Sequence, residues 1–375
     1  MYQFRNSEAR VLEFIRRNPL VSRAQIALEI GMSKPMVSEA VQKLVELDVV
    51  KEIRKGSSSS KGGKKPILLS FNPEYRQVVG IDIGGTKVKV VVTNLNGDVS
   101  LERTFSSKTV RSKEDFYNLI GNVIKSLNLD FDKILGIGIG VPGTVDSRNG
   151  FVNYMPAFEL RNLPLKEDLQ KMIRMPIFVG NDVTLNALGE MWKGAAKGHK
   201  NVLMISLGTG TGAGMIIDGN LYEGSNGMAG EIGYMITDWS KEDSHDLPFG
   251  RLERWFSGYS FEKILEKNFS KITVKDFFEL SDSDLNFSKI LDEACEHLAL
   301  AISNAVCLLN PDIVVIGGGI GYNQYERIIK RILPVLENVT PREILEGLFF
   351  TKASLADLGV CLGAIYMVQK STFII

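Results

Sequence analysis

Cysteine is nearly missing from this chain. Three occur in 375 residues, Cys295, Cys307 and Cys361, scattered through apolar segments. That excludes a disulfide framework and fits a reducing, cytoplasmic setting. Long apolar runs are missing too, and the opening MYQFRNSEAR does not read as a signal peptide, so no membrane partner is expected. Net charge is absent overall, with 44 basic residues against 44 acidic, but the balance is uneven. Residues 1–70 carry 13 Lys and Arg against 7 Asp and Glu, a net +6 that the rest of the chain offsets. A basic head on an acidic body implies that the head meets a polyanion. The chain is 44% hydrophobic, enough for more than one domain with a sizeable core.

The head reads as three helices and a wing. Residues 6–17 form a first helix begun by Asn6 or Ser7 and stopped at Asn18-Pro19. Ser22 to Gln25 is a capping box that opens a short second helix. After the Gly31-Met32 turn, Ser33 caps a third helix with Pro35 in its first turn. Val37, Ala40, Val41, Leu44 and Val45 recur at helical spacing, leaving Lys34, Ser38, Glu39, Gln42 and Lys43 on the other face. This is the helix-turn-helix pattern, whose second helix enters the major groove. Lys34, Ser38 and Gln42 are the candidate base readers. Val49–Ile53 and Ile67–Leu69 read as wing strands, with Lys61, Lys64 and Lys65 near the tip as phosphate or minor-groove contacts. The competing reading is a small helical docking domain followed by a flexible Ser/Gly linker. The caps, the turn spacing, the basic wing and the net charge favour duplex DNA.

The body is organised around VVGIDIGGTKVKVVVT, residues 78–93. It reads as two antiparallel strands, one buried and one half-buried, joined by a Gly-Gly turn. An Asp inside a buried strand is costly unless it has a partner. Beside Gly84, Gly85 and Thr86, the fitting partner for Asp82 is a phosphate with its Mg²⁺. A tight hairpin with an exposed Asp is the alternative. ILGIGIGV at 134–141 reads as a buried strand whose glycines admit another backbone or a ligand, and 145–165 reads as irregular. Asn181-Asp182 ends a short strand before a helix; local sequence favours Asp182 as a helix cap over a general base. Leu207–Gly214, with alternating glycine and threonine, reads as a second phosphate cradle. Glu231 and Glu253 read as carboxylates able to accept from sugar hydroxyls, or as solvated surface charges. His297 lies among helices and reads as packed. Gly317-Gly-Gly319 reads as a turn that lets a ligand approach the backbone, and a last helix begins near Asp357.

Taken in order, Asp82-x-Gly-Gly-Thr86, Asn181-Asp182, Leu207–Gly214, Gly230-Glu231-x-Gly233 and Gly317–Gly319 make the chain resemble the ROK family of bacterial repressors and sugar kinases. The match covers essentially the whole chain, and the winged head resembles the repressor branch. The resemblance implies an α/β chain: a winged helix-turn-helix over 1–70, then a two-lobed actin/hexokinase-like, ribonuclease H-like ATPase fold over 71–375. Lobe one would span about 78–185 plus the C-terminal helix, and lobe two about 186–356. The resemblance assigns Asp82, Gly84, Gly85 and Thr86 to the first phosphate loop, Thr209, Gly210 and Thr211 to the second, and Gly317, Gly318 and Gly319 to the adenosine side. Asn181, Glu231 and Glu253 resemble sugar ligands, with Gly143 close by. Asp182 resembles the base that takes the sugar hydroxyl proton, which reverses the local preference for a cap.

The expected function is therefore a sugar-responsive repressor, binding operator DNA as a homodimer or dimer of dimers. Closure on sugar would shift the spacing of the paired heads. The alternative is an ATP-dependent sugar kinase, with ATP and Mg²⁺ as cofactors; a sugar-binding scaffold that touches neither DNA nor ATP is a weaker third. One departure from the family is plain. The resemblance implies a structural zinc held by one histidine and three cysteines, and the matching positions here are Tyr234, Ser244, Asp246 and Arg251. With no cysteine between residues 1 and 294, no zinc is expected. The family histidine also touches sugar, so Tyr234 is the candidate for that contact. Arg251 paired with Asp243 or Asp246, and packing by Trp239, Leu247, Phe249 and Trp255, are expected to hold the loop instead.

Overall fold

A computed structural model describes residues 4–55, 65–238, 250–269 and 271–372. The head folds as its caps dictate. Helices α1 (Asn6–Arg17), α2 (Arg23–Glu29) and α3 (Lys34–Glu46) precede antiparallel strands Val50–Lys55 and Ile67–Phe71, and Val21–Ser22 adds a short third strand. Ser22 and Gln25 close the expected capping box, and Ser33 Oγ accepts the Met36 amide. The first helix spans the expected residues, but its N-cap is Arg5 rather than Asn6 or Ser7, with Glu8 accepting the Arg5 amide at 2.9 Å. The apolar stripe of α3, Val37, Ala40, Val41 and Leu44, is buried against α1.

The body contains two five-stranded sheets of identical plan. In the first, the spatial order is Ile177–Asn181, Ile134–Val141, Gln77–Ile83, Lys87–Asn94, Val99–Ser106. In the second it is Phe349–Lys352, Ile313–Gly317, Val202–Leu207, Thr211–Ile217, Asn220–Tyr222. Each begins as a three-strand antiparallel meander and adds two parallel strands beside its first strand. The first two strands of each meander form a hairpin, so Asp82–Thr86 and Leu207–Thr211 are the same turn used twice.

Two helices, Asp182–Lys193 and Gly359–Thr372, lie between the sheets. Cys361, Leu362 and Ile365 face the first sheet, while Leu185, Leu188 and Ala364 join Val202, Met204 and Val315 of the second. The two helices meet backbone to backbone: a Cβ on Gly189 would stand 2.1 Å from the Gly359 carbonyl oxygen. The strand glycines serve the same helix. A Cβ on Gly138 would stand 2.3 Å from the Ala364 carbonyl oxygen, so the alternation in 134–141 admits a helix backbone rather than a ligand. The buried Glu190 carboxylate accepts from the amides of Ala195, Ser354 and Leu355 and from the Ser354 hydroxyl, pinning the chain that leads into the last helix.

Several expectations are corrected. Lys87–Asn94 is buried on both faces, because Phe116 and Ile120 cover one and the C-terminal helix the other. Residues 144–163 form a small antiparallel sheet of Thr144–Asp146, Phe151–Met155 and Leu160–Leu163, not an irregular stretch. Gly318–Asn323 is a short helix rather than a turn. No helix among the described residues is long and apolar enough to cross a membrane.

Candidate ligand cleft and DNA-contacting surface

The first turn projects from the end of its sheet. Asp82 pairs with Lys89 across the hairpin, and the Gly84 amide closes the turn onto the Lys87 carbonyl at 2.8 Å. Ser107 braces it, donating its hydroxyl to the Gly84 carbonyl and its amide to that of Thr86. Gly85 and Thr86 remain exposed. Burial, together with the neighbouring Asp182, raises the Asp82 carboxyl to about 7.

Asn181, not Asp182, caps the helix that follows it. Its Oδ1 accepts the Thr184 amide at 3.0 Å and its Nδ2 donates to the Gly143 carbonyl at 3.0 Å. Asp182 occupies the first helical position and accepts the Val183 amide at 3.0 Å. Burial raises its carboxyl to about 6, opposed by the Val183 amide and by its own amide, and reinforced by Glu231. The local reading of Asp182 as the cap is thus one residue off, and its carboxylate is held instead at the head of the helix, near a second acid.

Glu231 is raised by burial and by Glu253; Glu253 is raised by burial and partly offset by the Thr211 and Gly250 amides. Tyr234 feels both carboxylates and is 60% exposed. Asp82, Asp182, Glu231 and Glu253 therefore form a chain of acids in which each neighbour disfavours the next one's charge. Such a row suits polyhydroxyl donors or a cation and repels an unaccompanied phosphate.

Of the second turn, Thr209 is exposed, whereas Thr211 is buried. The Thr211 hydroxyl donates to the Phe256 carbonyl and its amide to Glu253. Thr211 thus stands at the proposed phosphate loop with its donors already used. Gly210 lies under Glu253, and Gly208 adjoins the Gly319 amide, so the second turn and Gly317–Gly319 are neighbours. Gly318 adopts φ +77°, where a side chain would also strike the Leu207 backbone. Gly319 has open space around it.

The segment around Tyr234 and Glu253 is held by rings and one arginine. Arg251 Nη1 donates to the Asp238 carbonyl at 3.1 Å. His297 Nδ1 lies 2.8 Å from Thr237 Oγ1, and its ring stacks on Trp255 with centroids 4.0 Å apart. His297 is packed, as its surroundings suggested, and Trp255 supplies the expected packing. Trp239, Asp243, Ser244, His245, Asp246, Leu247 and Phe249 lie outside the described residues. Among the described residues no cluster of metal-ligating side chains occurs.

On the head, Lys34, Ser38 and Gln42 are exposed along α3, and Gln42 Nε2 donates to Glu46 at 3.2 Å. Lys65 is exposed, while Lys61 and Lys64 lie outside the described residues. Sequence reasoning missed Met36, half exposed in the first turn of α3, because an apolar residue at a helix start reads as core. It also missed the junction of head and body. Arg16 Nη2 donates to Gln369 Oε1 at 3.3 Å, and the Arg16 guanidinium lies over the Phe71 ring at 4.9 Å. One continuous apolar cluster runs from Val11, Leu12 and Ile15 of α1 through to Leu362, Ile365 and Val368 of the last helix. A third omission is the Lys89 ammonium, buried between Glu102 and Asp357, with Lys87 also on Asp357 at 3.4 Å. The alternating lysines after Thr86 were its only signal in the sequence.

Comparison with known proteins agrees with this geometry. Residues 78–371 match the ROK family, and residues 2–56 match the MarR family. A xylose repressor of Caldicellulosiruptor bescii is 28% identical over 96% of this chain and 94% of its own. A glucokinase of Halalkalibacterium halodurans is 30% identical over 79% of this chain and 96% of its own. A crystal structure of a ROK family transcriptional regulator, a homologue of the Escherichia coli MLC protein, superposes with a TM-score of 0.84 at 21% identity, covering 98% of this chain and 96% of that one.

Proposed function

The chain belongs to the ROK family, and from that premise we propose how it works as a sugar-responsive transcriptional repressor. The winged head binds operator DNA, with Lys34, Ser38 and Gln42 toward base edges and Lys61, Lys64 and Lys65 toward the backbone. A sugar lies in the acidic row, contacted by Asn181, Asp182, Glu231, Tyr234 and Glu253, with Gly143 beside it. D-xylose is the first candidate, given the named function of the Caldicellulosiruptor relative. One observation carries the coupling. The helix headed by Asp182 is packed through Gly189 onto the C-terminal helix, which shares an apolar cluster and the Arg16–Gln369 bond with the head. Movement of the sugar site is thereby passed to the reading heads, whose half-site spacing on DNA is fixed at about 34–36 Å or its multiples in a dimer. Sugar shifts the population toward a state whose heads no longer match the operator.

A second reading, phosphoryl transfer to a sugar hydroxyl, is favoured by Asp82 and Asp182. Two half-buried acids with raised pKa values beside two candidate phosphate turns suit a cation-bound phosphate. Asp82 would hold Mg²⁺, with Gly85, Thr86, Thr209 and Gly319 toward the nucleotide. Bound ATP would supply the phosphoryl group. Asp182, ionised above about pH 6, would accept the proton of the sugar hydroxyl. The deciding experiment pairs operator binding with ADP release across xylose, glucose and N-acetylglucosamine. A sugar that releases DNA without ADP formation supports a pure sensor. Failure of every sugar to alter DNA binding overturns the repressor mechanism.

A further inference from the structure

The second phosphate turn already holds an anion. Glu253 Oε1 accepts the Thr211 amide at 2.9 Å. A Cβ on Gly210 would stand 2.3 Å from the same oxygen, so the carboxylate rests against the turn where only glycine leaves room. Two further donors of the turn are engaged as well. Its Gly208 amide closes onto the Gly210 carbonyl at 2.9 Å, and the Thr211 hydroxyl is directed to Phe256. From behind, the amides of Gly258 and Tyr259 hold the carbonyls of Gly208 and Thr209 at 2.8 and 3.1 Å. Backbone amides at such a turn attract phosphate. Here one of them serves a resident carboxylate whose charge opposes any incoming phosphate.

We propose that Glu253 is a built-in stopper of the second phosphate turn, withdrawn only when sugar hydroxyls draw its carboxylate away, so that nucleotide binding is conditional on sugar. This rests on the sugar position proposed above. Sugar hydroxyls can replace the Thr211 amide as donors to Glu253, and the released N–H then faces the phosphate. One side chain would thus report occupancy of the sugar site to the nucleotide site without movement of either lobe.

The test is calorimetric titration of the full chain with Mg²⁺ and the non-hydrolysable ATP analogue AMPPNP, with and without saturating xylose, glucose or N-acetylglucosamine. Wild type is expected to bind the analogue about tenfold or more tightly with sugar, the size of one hydrogen bond to a charged group. Glu253→Gln, which keeps the shape and removes the charge, is expected to bind it about tenfold more tightly than wild type without any sugar, and to gain nothing from sugar. Glu253→Ala, with folding checked by circular dichroism, is expected to behave the same way. Equal affinity of wild type with and without a sugar that demonstrably binds overturns the stopper. So does a sugar-free Glu253→Gln protein that binds no tighter than wild type. If no sugar of the panel binds, the sugar-site reading fails, while the sugar-free variant still decides whether Glu253 blocks the turn.

Discussion

The Asp82–Thr86 turn and the Leu207–Thr211 turn occupy the same place in two sheets of the same plan, yet their surroundings differ. The first is tied to the body by cations: Lys87 and Lys89 reach Asp357 at the threshold of the C-terminal helix. Its Gly85 and Thr86 face outward. The second is tied by an anion, Glu253, which reaches in from the short helix Arg251–Trp255. The difference teaches that repeating a fold does not repeat a function. The first half connects its candidate phosphate turn to the head-bearing helix, and the second connects its own to the candidate sugar site.

Substitutions can break that contrast. The largest effect is expected where the first sheet meets the C-terminal helix. Gly138→Ala would place its Cβ 2.3 Å from the Ala364 carbonyl oxygen, a backbone atom that cannot step aside. It is expected to cost about 3 kcal/mol or more, measured by urea unfolding. Gly212→Ala in the second sheet meets only Val183 Cγ2 at 3.4 Å and is expected to cost under about 1 kcal/mol. Equal costs would remove the distinction between the backbone contact at Gly138 and the side-chain contact at Gly212.

Next in size is the pH dependence of Asp182. Its folded carboxyl titrates near 6, against an ordinary value of 3.8, so between those values the folded state binds more protons than the unfolded. Stability of the ligand-free protein should therefore fall as pH rises from about 4 through 6, by up to about 3 kcal/mol from this group. Asp82, raised in the same direction, extends the fall toward pH 7. Asp182→Asn should flatten the curve, and a melting-temperature series from pH 4.5 to 8 reads it. A variant with the wild-type slope would show that Asp182 is not the strained acid.

Lys89→Met follows. It leaves Glu102 and Asp357 facing each other without their shared cation, but both acids are about half exposed, so roughly 2 kcal/mol is expected. Thermal unfolding measures this, and an unchanged midpoint would deny the lysine its tie. The smallest effect on stability, below about 1 kcal/mol, belongs to Arg16→Ala. Its effect on communication is expected to be larger: operator and sugar each bind as before, while sugar releases DNA less well. Full sugar response in that variant would move the coupling elsewhere.

Much of this was legible in the sequence because local chemistry agreed with the fold. The capping box at Ser22 and the stripe on α3 specified the head, and Asp82-x-Gly-Gly-Thr86 specified the hairpin. What escaped has physical causes. Val99–Ser106 is a mostly exposed edge strand whose Glu102 and Arg103 mask its period. The cap at residue 181 rather than 182 was undecidable locally, since either side chain can accept an N-terminal amide. The glycines of 134–141 announced a close approach without saying that a helix from more than 200 residues later makes it. The Glu253–Thr211 bond joins residues 42 apart that no local pattern relates.

The Arg16–Gln369 contact joins the first helix of the chain to its last. On the ribosome the head emerges early, but the apolar cluster it shares with the last helix is completed last. A chain that stops before residue 359 would carry a head with DNA-binding side chains and nothing to orient it. Loss of the final helix should therefore yield not a silent protein but an unregulated one, whose head searches DNA without reference to sugar.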